Sequence, residues 1–273
     1  MNQRASIQNR VFQVLITATV AMPLVWMLGV ALKPSSEPFS SPAQLWPNSI
    51  TFDNFLSSWR PEFQTYFLNS LIVSFATVTI SVLLGLLGAY GLLRSPRKIR
   101  WLVYPALLMG QMVPAASIII PIFAMVRNLG LIDTHLALIL AYIALTLPLS
   151  TVMNYAFMRS IPKDVIEAAT VDGASTFRIF FQIVLPLSVP AVVATGVWLT
   201  VVVWQEFLFA LAMTTSQSMR TLPVGLNDFI GQYGIRYGEL MATSSVMSVP
   251  VVILFLFLQR YFVQGLLSGA TKG

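Results

Sequence analysis

The sequence predicts an all-α membrane protein with six transmembrane helices, both termini in the cytoplasm, and a polar cytoplasmic helix between the fourth and fifth spans. Three observations predict it. The charge content is too low for a water-facing surface, six apolar segments each approach bilayer length, and the basic residues gather in alternate loops.

Of 273 residues, 56% are apolar and only 10% are charged, against about 25% charged in a soluble globular chain. So few charges cannot clothe a chain of this size for water, and the bilayer is its natural solvent. Lys and Arg number 16 and Asp and Glu 10, a net charge of +6. In a soluble chain that excess suggests nucleic acid. Here the basic residues sit in short loops between apolar spans, so topology accounts for them and no nucleic-acid partner is expected. The chain has no cysteine and a single histidine, His135. Disulfides and thiol chemistry are thereby excluded, and no metal site is expected.

A helix crosses about 30 Å of hydrocarbon at 1.5 Å per residue, which needs about 20 residues. Segments of that order lie at residues 11–32, 66–93, 101–126, 136–157, 189–213 and 240–262, and together they make one transmembrane domain over 1–273. Pro148 and Pro190 interrupt or open the fourth and fifth, which a spanning helix tolerates when neighbours satisfy the freed carbonyl. The first segment is too long for a signal sequence and lacks an A-x-A-like cleavage site, so it reads as a retained helix. With the N-terminus inside, 11 of the 16 basic residues fall in cytoplasmic segments. The cluster Arg94–Arg100 is the tightest, and the positive-inside rule fixes the orientation.

Two outside loops are sizeable. Residues 33–65 are rich in Pro and Ser and carry Trp46, Phe52, Phe55 and Trp59, which suit either the membrane interface or a partner. Residues 214–239 hold Gly225, Gly231 and Gly234 and read as irregular. His135 beside Asp133 reads as a solvated loop residue.

The segment 158–188, MRSIPKDVIEAATVDGASTFRIFFQIVLPLS, is too polar for membrane and too patterned for a linker. Pro162 suits the first position of a helix. Asp164 then favours the dipole from the first turn. Gly173 suits a positive-φ stop, and Ser175 can cap a second helix from Thr176. Ala168 and Ala169 would let another surface approach closely, while Glu167 and Asp172 offer carboxylates to a basic partner. Taken from these residues alone, the segment is either an amphipathic interfacial helix or a lever for another protein.

Glu167-Ala168-Ala169, Gly173, Ile183, Leu185 and Pro186 fill every fixed position of E-A-A-x3-G-x9-I-x-L-P. The segment thereby resembles the EAA loop of ABC-importer permeases. Further stretches are similar to the shorter, six-span sugar permeases of the maltose-transporter type. They are Ala31-Leu32-Lys33-Pro34, Phe67-Leu68-Asn69-Ser70, Trp204-Gln205-Glu206-Phe207, and the tail Gln259–Leu266 with Gly269–Gly273. Gln205 replaces that family's usual Asn, and Ser268 beside Leu267 departs mildly from its ending.

The resemblance implies a multi-pass subunit of the bacterial inner membrane. Its partners would be a homologous second permease, a dimer of ATP-binding subunits, an extracytoplasmic solute-binding protein and membrane lipid. Glu167, Ala168, Ala169, Asp172, Gly173, Ile183, Leu185 and Pro186 would couple to the ATPase, and the tail residues Gly265, Gly269, Lys272 and Gly273 would reach it. ATP and Mg would reside on the partner, and no cofactor is expected here. No G-x4-G-K-[ST] stretch occurs, so phosphate cradling belongs to another polypeptide and the chain is not expected to be an enzyme.

Glu206 is the one acidic residue expected well inside a span, so it should face the bundle or a wet cavity. Three uses stand: fixing a helix through a backbone or basic partner, touching cargo, or gating. Trp198, Trp204, Gln205 and Glu206 are the translocation-path candidates. Asn69, Gln111, Asn154 and Gln182 read as interhelical glue, and Gly85, Gly88, Ala89 and Gly91 as close helix packing. An ion-coupled transporter would need more ionisable residues along a path. An intramembrane enzyme would need paired catalytic groups, and none is visible. Another cargo class remains open to the EAA loop alone.

Overall fold

Helix fills most of the computed structural model, which describes residues 2–34, 46–231 and 234–270, with side chains at 10 and from 12 to 258. In chain order the helices are α1 (Asn2–Ala31), α2 (Asp53–Ser58), α3 (Pro61–Arg94), α4 (Arg97–Met112), α5 (Ala115–Asn128), α6 (His135–Met158) and α7 (Lys163–Val171). There follow α8 (Thr176–Ile179), a π-helical turn (Phe180–Val184), α9 (Leu185–Trp204), α10 (Leu208–Met213), α11 (Leu222–Gly225) and α12 (Tyr237–Ala270). A two-residue hairpin, β1 (Ile230–Gly231) with β2 (Gly234–Ile235), precedes α12.

By length and composition, five of the described helical stretches can cross a membrane, or six if the bent pair α4–α5 is one span. The expected third span, 101–126, is therefore corrected: α4 and α5 meet at 100°. Val113 ahead of Pro114 is extended (ψ 121°), as the residue before proline prefers. Glycine, a poor helix former, stands at Gly110, where the carbonyl that Pro114 cannot satisfy lies, so two helix-weakening effects coincide. Pro148 and Pro190, by contrast, lie inside the continuous helices α6 and α9.

The expected fifth span, 189–213, is also redrawn. Helical backbone runs unbroken from Thr176 through the π turn to Trp204, stops at Gln205–Phe207, and resumes in α10. Pro186 has no N–H for the Gln182 carbonyl, and just before it the Leu185 N–H bonds back to Phe180 O, five residues away. The expected second span begins earlier, at Pro61, and the sixth at Tyr237. The 214–239 loop is not irregular. It holds 3₁₀ turns at Gln217–Met219 and Leu226–Phe229, with α11 and the hairpin, all too short to show a hydrophobic period.

The Cα trace gathers into two compact units. One comprises Met1–Gln64 with Gly225–Pro250, the other Thr65–Val224 with Val251–Gly273. In the first, buried Asn54 donates to the carbonyls of Ala31 (2.9 Å) and Lys33 (2.7 Å). A Cβ at Gly238 would lie 2.6 Å from the Asn54 Oδ1, so a side chain there would displace the Asn54 amide. Phe63 stacks on Phe229 at 4.8 Å, and Arg236 lies over the same Phe229 ring while pairing with Glu239 at 2.7 Å.

In the second unit, Val73, Leu138, Tyr142, Phe209 and Met213 are buried in one cluster, and Leu86, Tyr90, Tyr155, Ile179, Phe180 and Val184 in another. Polar contacts fasten α3 to α6: Ser81 Oγ lies 2.8 Å from Thr146 Oγ1. A methyl at Gly85 would overlap the Ser150 side chain, and one at Gly88 would lie 3.3 Å from Thr151. These glycines are the close packing expected, but Gly91 faces open space. Outward faces of α3 expose Phe75 and Leu83, the apolar surface a bilayer or a partner helix requires.

We predict that Gly85→Ala lowers stability by about 1–3 kcal/mol through overpacking, read by thermal unfolding in detergent. Adding Ser150→Gly should recover part of the loss. An unchanged midpoint for the single variant would place the α3–α6 crossing elsewhere.

Candidate functional site

The segment 158–188 folds as two short helices about one tight turn. Pro162 is the N-cap of α7, one place earlier than the sequence suggests, and Asp164 lies in the first turn. The helix ends in a paired-bond cap: Gly173 N–H donates to Thr170 O (3.1 Å) and Ala174 N–H to Ala169 O (3.0 Å). Gly173 has φ +76°, the left-handed conformation glycine adopts without penalty. Ser175 Oγ then accepts from Arg178 N–H at 3.3 Å and caps α8.

No residue of α7 is buried. Glu167, Ala168, Asp172 and Gly173 are exposed and Ala169 is half-buried. Beyond the turn, Ile179, Phe180 and Val184 are buried, Ile183 and Leu185 half-buried, and Pro186 exposed. Tyr90 of α3 holds this base: its hydroxyl donates to Thr176 O (3.2 Å) and its ring lies 4.9 Å from Phe180. An exposed helix is thus joined, through one tight turn, to a helix that continues to Trp204. The sequence reading missed Val171 and Phe177, which stand 87% and 77% exposed beside that turn. Apolar residues at exposed positions of a polar hairpin were the available signal.

The second site is the interruption at Gln205–Phe207. Phe209 N–H donates to Glu206 Oε1 at 3.0 Å and Ala210 N–H to Oε2 at 3.2 Å. Tyr142 Oη donates to Oε2 at 2.6 Å. The carboxylate thus supplies acceptors to the first free N–H groups of α10 and ties them to α6. Among the three uses open to Glu206, this geometry is that of a residue fixing a helix. Tyr142 is its partner, and nothing in the sequence around it signalled that.

Trp204 is buried with its ring edge-on to Phe67 at 5.8 Å, whereas Gln205 is exposed and Trp198 half-exposed. Asn69 Nδ2 donates to Ser218 O (2.8 Å) and Arg220 O (2.9 Å), and His135 Nε2 meets its Oδ1 at 2.8 Å. His135 is therefore not a solvated loop residue; it begins α6 and braces Asn69. Gln111 donates to Leu145 O across α4 and α6. Asn154 donates to Ser150 O and Gln182 accepts from Arg178, each within its own helical stretch. Gly265 and Gly269 lie on helical backbone in α12, and Lys272 and Gly273 lie outside the described residues. Among the described residues no cluster of metal-ligating side chains occurs.

A family model described as "Binding-protein-dependent transport system inner membrane component" matches residues 81–268, taking in the α7 hairpin, the Glu206 break and most of α12. The chain belongs to this family. Its relatives include the trehalose transport system permease protein SugB of Mycobacterium tuberculosis, 33% identical over 276 residues and covering all of both chains. They also include the diacetylchitobiose uptake system permease protein NgcG of Streptomyces coelicolor, 36% identical over 250 residues, 90% of this chain and 82% of that one. Among solved structures, a bacterial ABC transporter involved in alginate import matches with TM-score 0.75 at 20% identity, over 96% of this chain and 97% of that one. The chain is an ABC transporter permease, a multi-pass protein of the inner membrane.

We predict that Glu206→Ala destabilises this permease by roughly 1–3 kcal/mol, because it leaves helix-end donors unpaired. Glu206→Gln keeps an acceptor oxygen and should lose less. Thermal unfolding of the two variants checks the order, and a wild-type midpoint for Glu206→Ala would remove the cap. A second prediction concerns Asp133. Burial pulls its carboxyl upward, but hydrogen bonds from Ser216 and Thr215 outweigh this and hold it below the ordinary aspartate value. A depressed carboxyl contributes stability above its unfolded pKa and loses it as pH falls through the folded value. Amide exchange at Thr215 and Ser216, corrected for intrinsic rate, should therefore quicken on acidification below the ordinary aspartate range. Asp133→Asn should remove that pH dependence; an unaltered pH profile in the variant would contradict it.

Proposed function

We propose that this permease forms half of the solute path of a carbohydrate importer and is driven by separate ATPase subunits through α7. The observation that carries the proposal is mechanical. α7 buries none of its residues, turns at Gly173, and leads into one helical run ending at Trp204. A protein seated on Glu167, Ala168 and Ala169 would act on a helix long enough to reach well into a bilayer. The EAA spacing, filled without exception, supports an ATPase as that protein. Val171 and Phe177 add the apolar contact area that polar hairpins rarely expose.

In this reading both termini and α7 lie on the cytoplasmic side, as the loop charges favour. Two ATPase subunits carry the ATP and Mg. A homologous permease completes the path, and a solute-binding protein delivers cargo from outside. Trp198 and Gln205, which are exposed, are the stronger candidates for lining the path, with Glu206 holding the interruption beside them. The C-terminal residues Gly265, Gly269, Lys272 and Gly273 reach toward the ATPase. A sugar as cargo is supported by the trehalose and diacetylchitobiose relatives. It also accords with a path offering indole and amide groups to a ring-shaped polar solute.

The test is uptake by vesicles that contain the assembled importer and its binding protein. Uptake should require ATP inside and binding protein outside; uptake following a proton or sodium gradient would refute the proposal. Glu167→Lys and Gly173→Asp should leave assembly in the membrane intact while uncoupling ATP hydrolysis from uptake. Space around Gly173 is open, so the added side chain meets no neighbour and alters only the turn and its surface. Wild-type transport by both variants would remove the lever role.

A further inference from the structure

Where α3 gives way to α4, beside the end of α6, the surface carries an open pocket of about 440 Å³ lined by Arg97, Arg100 and Arg159 with Trp101, Tyr104 and Tyr155. A neighbouring hollow of about 560 Å³ shares Arg100 and Arg159 and adds Arg94 and Lys163, with Glu167 as its carboxylate. Five cations thus converge from three helices and a connection. Among the described residues the side chains of Arg97, Arg100 and Arg159 pair with no carboxylate. Arg100 Nη2 donates to Leu93 O (3.2 Å) and Ser95 O (2.9 Å), but its Nε is buried with no partner. A buried donor of that kind calls for an acceptor.

Local electrostatics sharpen the demand. The first turn of α4 holds no acidic residue, and its N-cap, Pro96, offers no side-chain acceptor. Arg97, Lys98 and Arg100 therefore sit at the positive end of a 16-residue helix, where cations are unfavourable and an anion is favoured. Orientation by loop charge explains why basic residues occur in this connection. It does not explain why Arg159, from the far end of α6, joins them around a pocket. Trp101, 80% exposed, and Leu102, 73% exposed, stand at the same turn, the pairing of indole and apolar side chain found at a bilayer surface.

We propose that this pocket binds the phosphodiester headgroup of an anionic phospholipid. The guanidinium groups of Arg97 and Arg159 can both donate to the two non-bridging oxygens of the phosphodiester. Trp101 lies at the glycerol level, and the acyl chains run along the exposed face of α4. A basic pocket between membrane helices at the surface is the setting in which such headgroups are held. The site requires only that α4 begin at a bilayer surface. Its failure would leave ATP-coupled uptake untouched, and failure of coupling would leave the site untouched.

The test uses the assembled importer in nanodiscs of phosphatidylcholine alone or with phosphatidylglycerol, reading amide exchange across residues 96–105. Phosphatidylglycerol should slow exchange there severalfold, and Arg97→Gln with Arg159→Gln should abolish the difference. Arg97→Lys with Arg159→Lys keeps the loop charge, and hence the orientation, and should retain part of it. Equal exchange in both lipids, or an undiminished lipid effect in the Gln variant, would overturn the proposal. Slowing by inorganic phosphate in phosphatidylcholine alone would make the ligand a free anion and overturn the lipid. Slowing in phosphatidylcholine that occurs only with the ATPase subunits present would assign the pocket to a protein acid and overturn the lipid equally.

Discussion

A backbone group buried in a packed bundle has no water to satisfy it, so a helix that stops within the core must have its N–H and C=O groups met from within the protein. The organisation of this permease follows from that constraint. Its helical run from Thr176 stops at Trp204 and restarts at Leu208, and the restart leaves N–H groups free. Glu206 supplies the missing acceptors and is itself held by Tyr142. The single carboxylate deep in the apolar sequence thus does for α10 what Ser or Asp does for a helix in water, and the fixed short helix packs Phe209, Ala210 and Met213 into the core with α6.

At its opposite end the same run is governed by the reverse condition. There α7 stands exposed, and the chain uses a positive-φ glycine and a paired-bond cap to turn sharply. The π turn next to Pro186 lets the backbone pass a residue without an N–H and remain helical. Tyr90, on α3, ties the base of the hairpin to the helix that α6 crosses at Gly85 and Gly88. Force applied to α7 in the proposed importer would therefore meet a braced base rather than a free linker.

Much of the site was legible because its parts are local. Gly173 and Ser175 act within a few residues of themselves, and the structure gives each the role its chemistry suggests, while Pro162 stands one place before the first helical position expected of it. The bent third span was not legible: Pro105, Pro121, Pro148 and Pro190 all lie inside continuous helices, and only at Pro114 does the helix stop. Proline marks where a ladder bond is lost, but neighbouring helices determine whether the helix survives the loss. The place of His135 was not legible for a similar reason. Its partner Asn69 is 66 positions away, beyond the reach of any local pattern.

Solvent, approximate spans, the cap chemistry of the α7 hairpin and the family follow from the order of residues, because hydropathy, charge and turn residues act over a few neighbours. That Glu206 is a helix cap, that α4 and α5 meet at a bend of 100°, and that Arg97 and Arg100 of α4 share a pocket with Arg159 just beyond α6 came only from the tertiary structure. Those outcomes depend on which side chains from remote segments come within hydrogen-bond or Coulomb range, and a linear order of residues does not contain that distance.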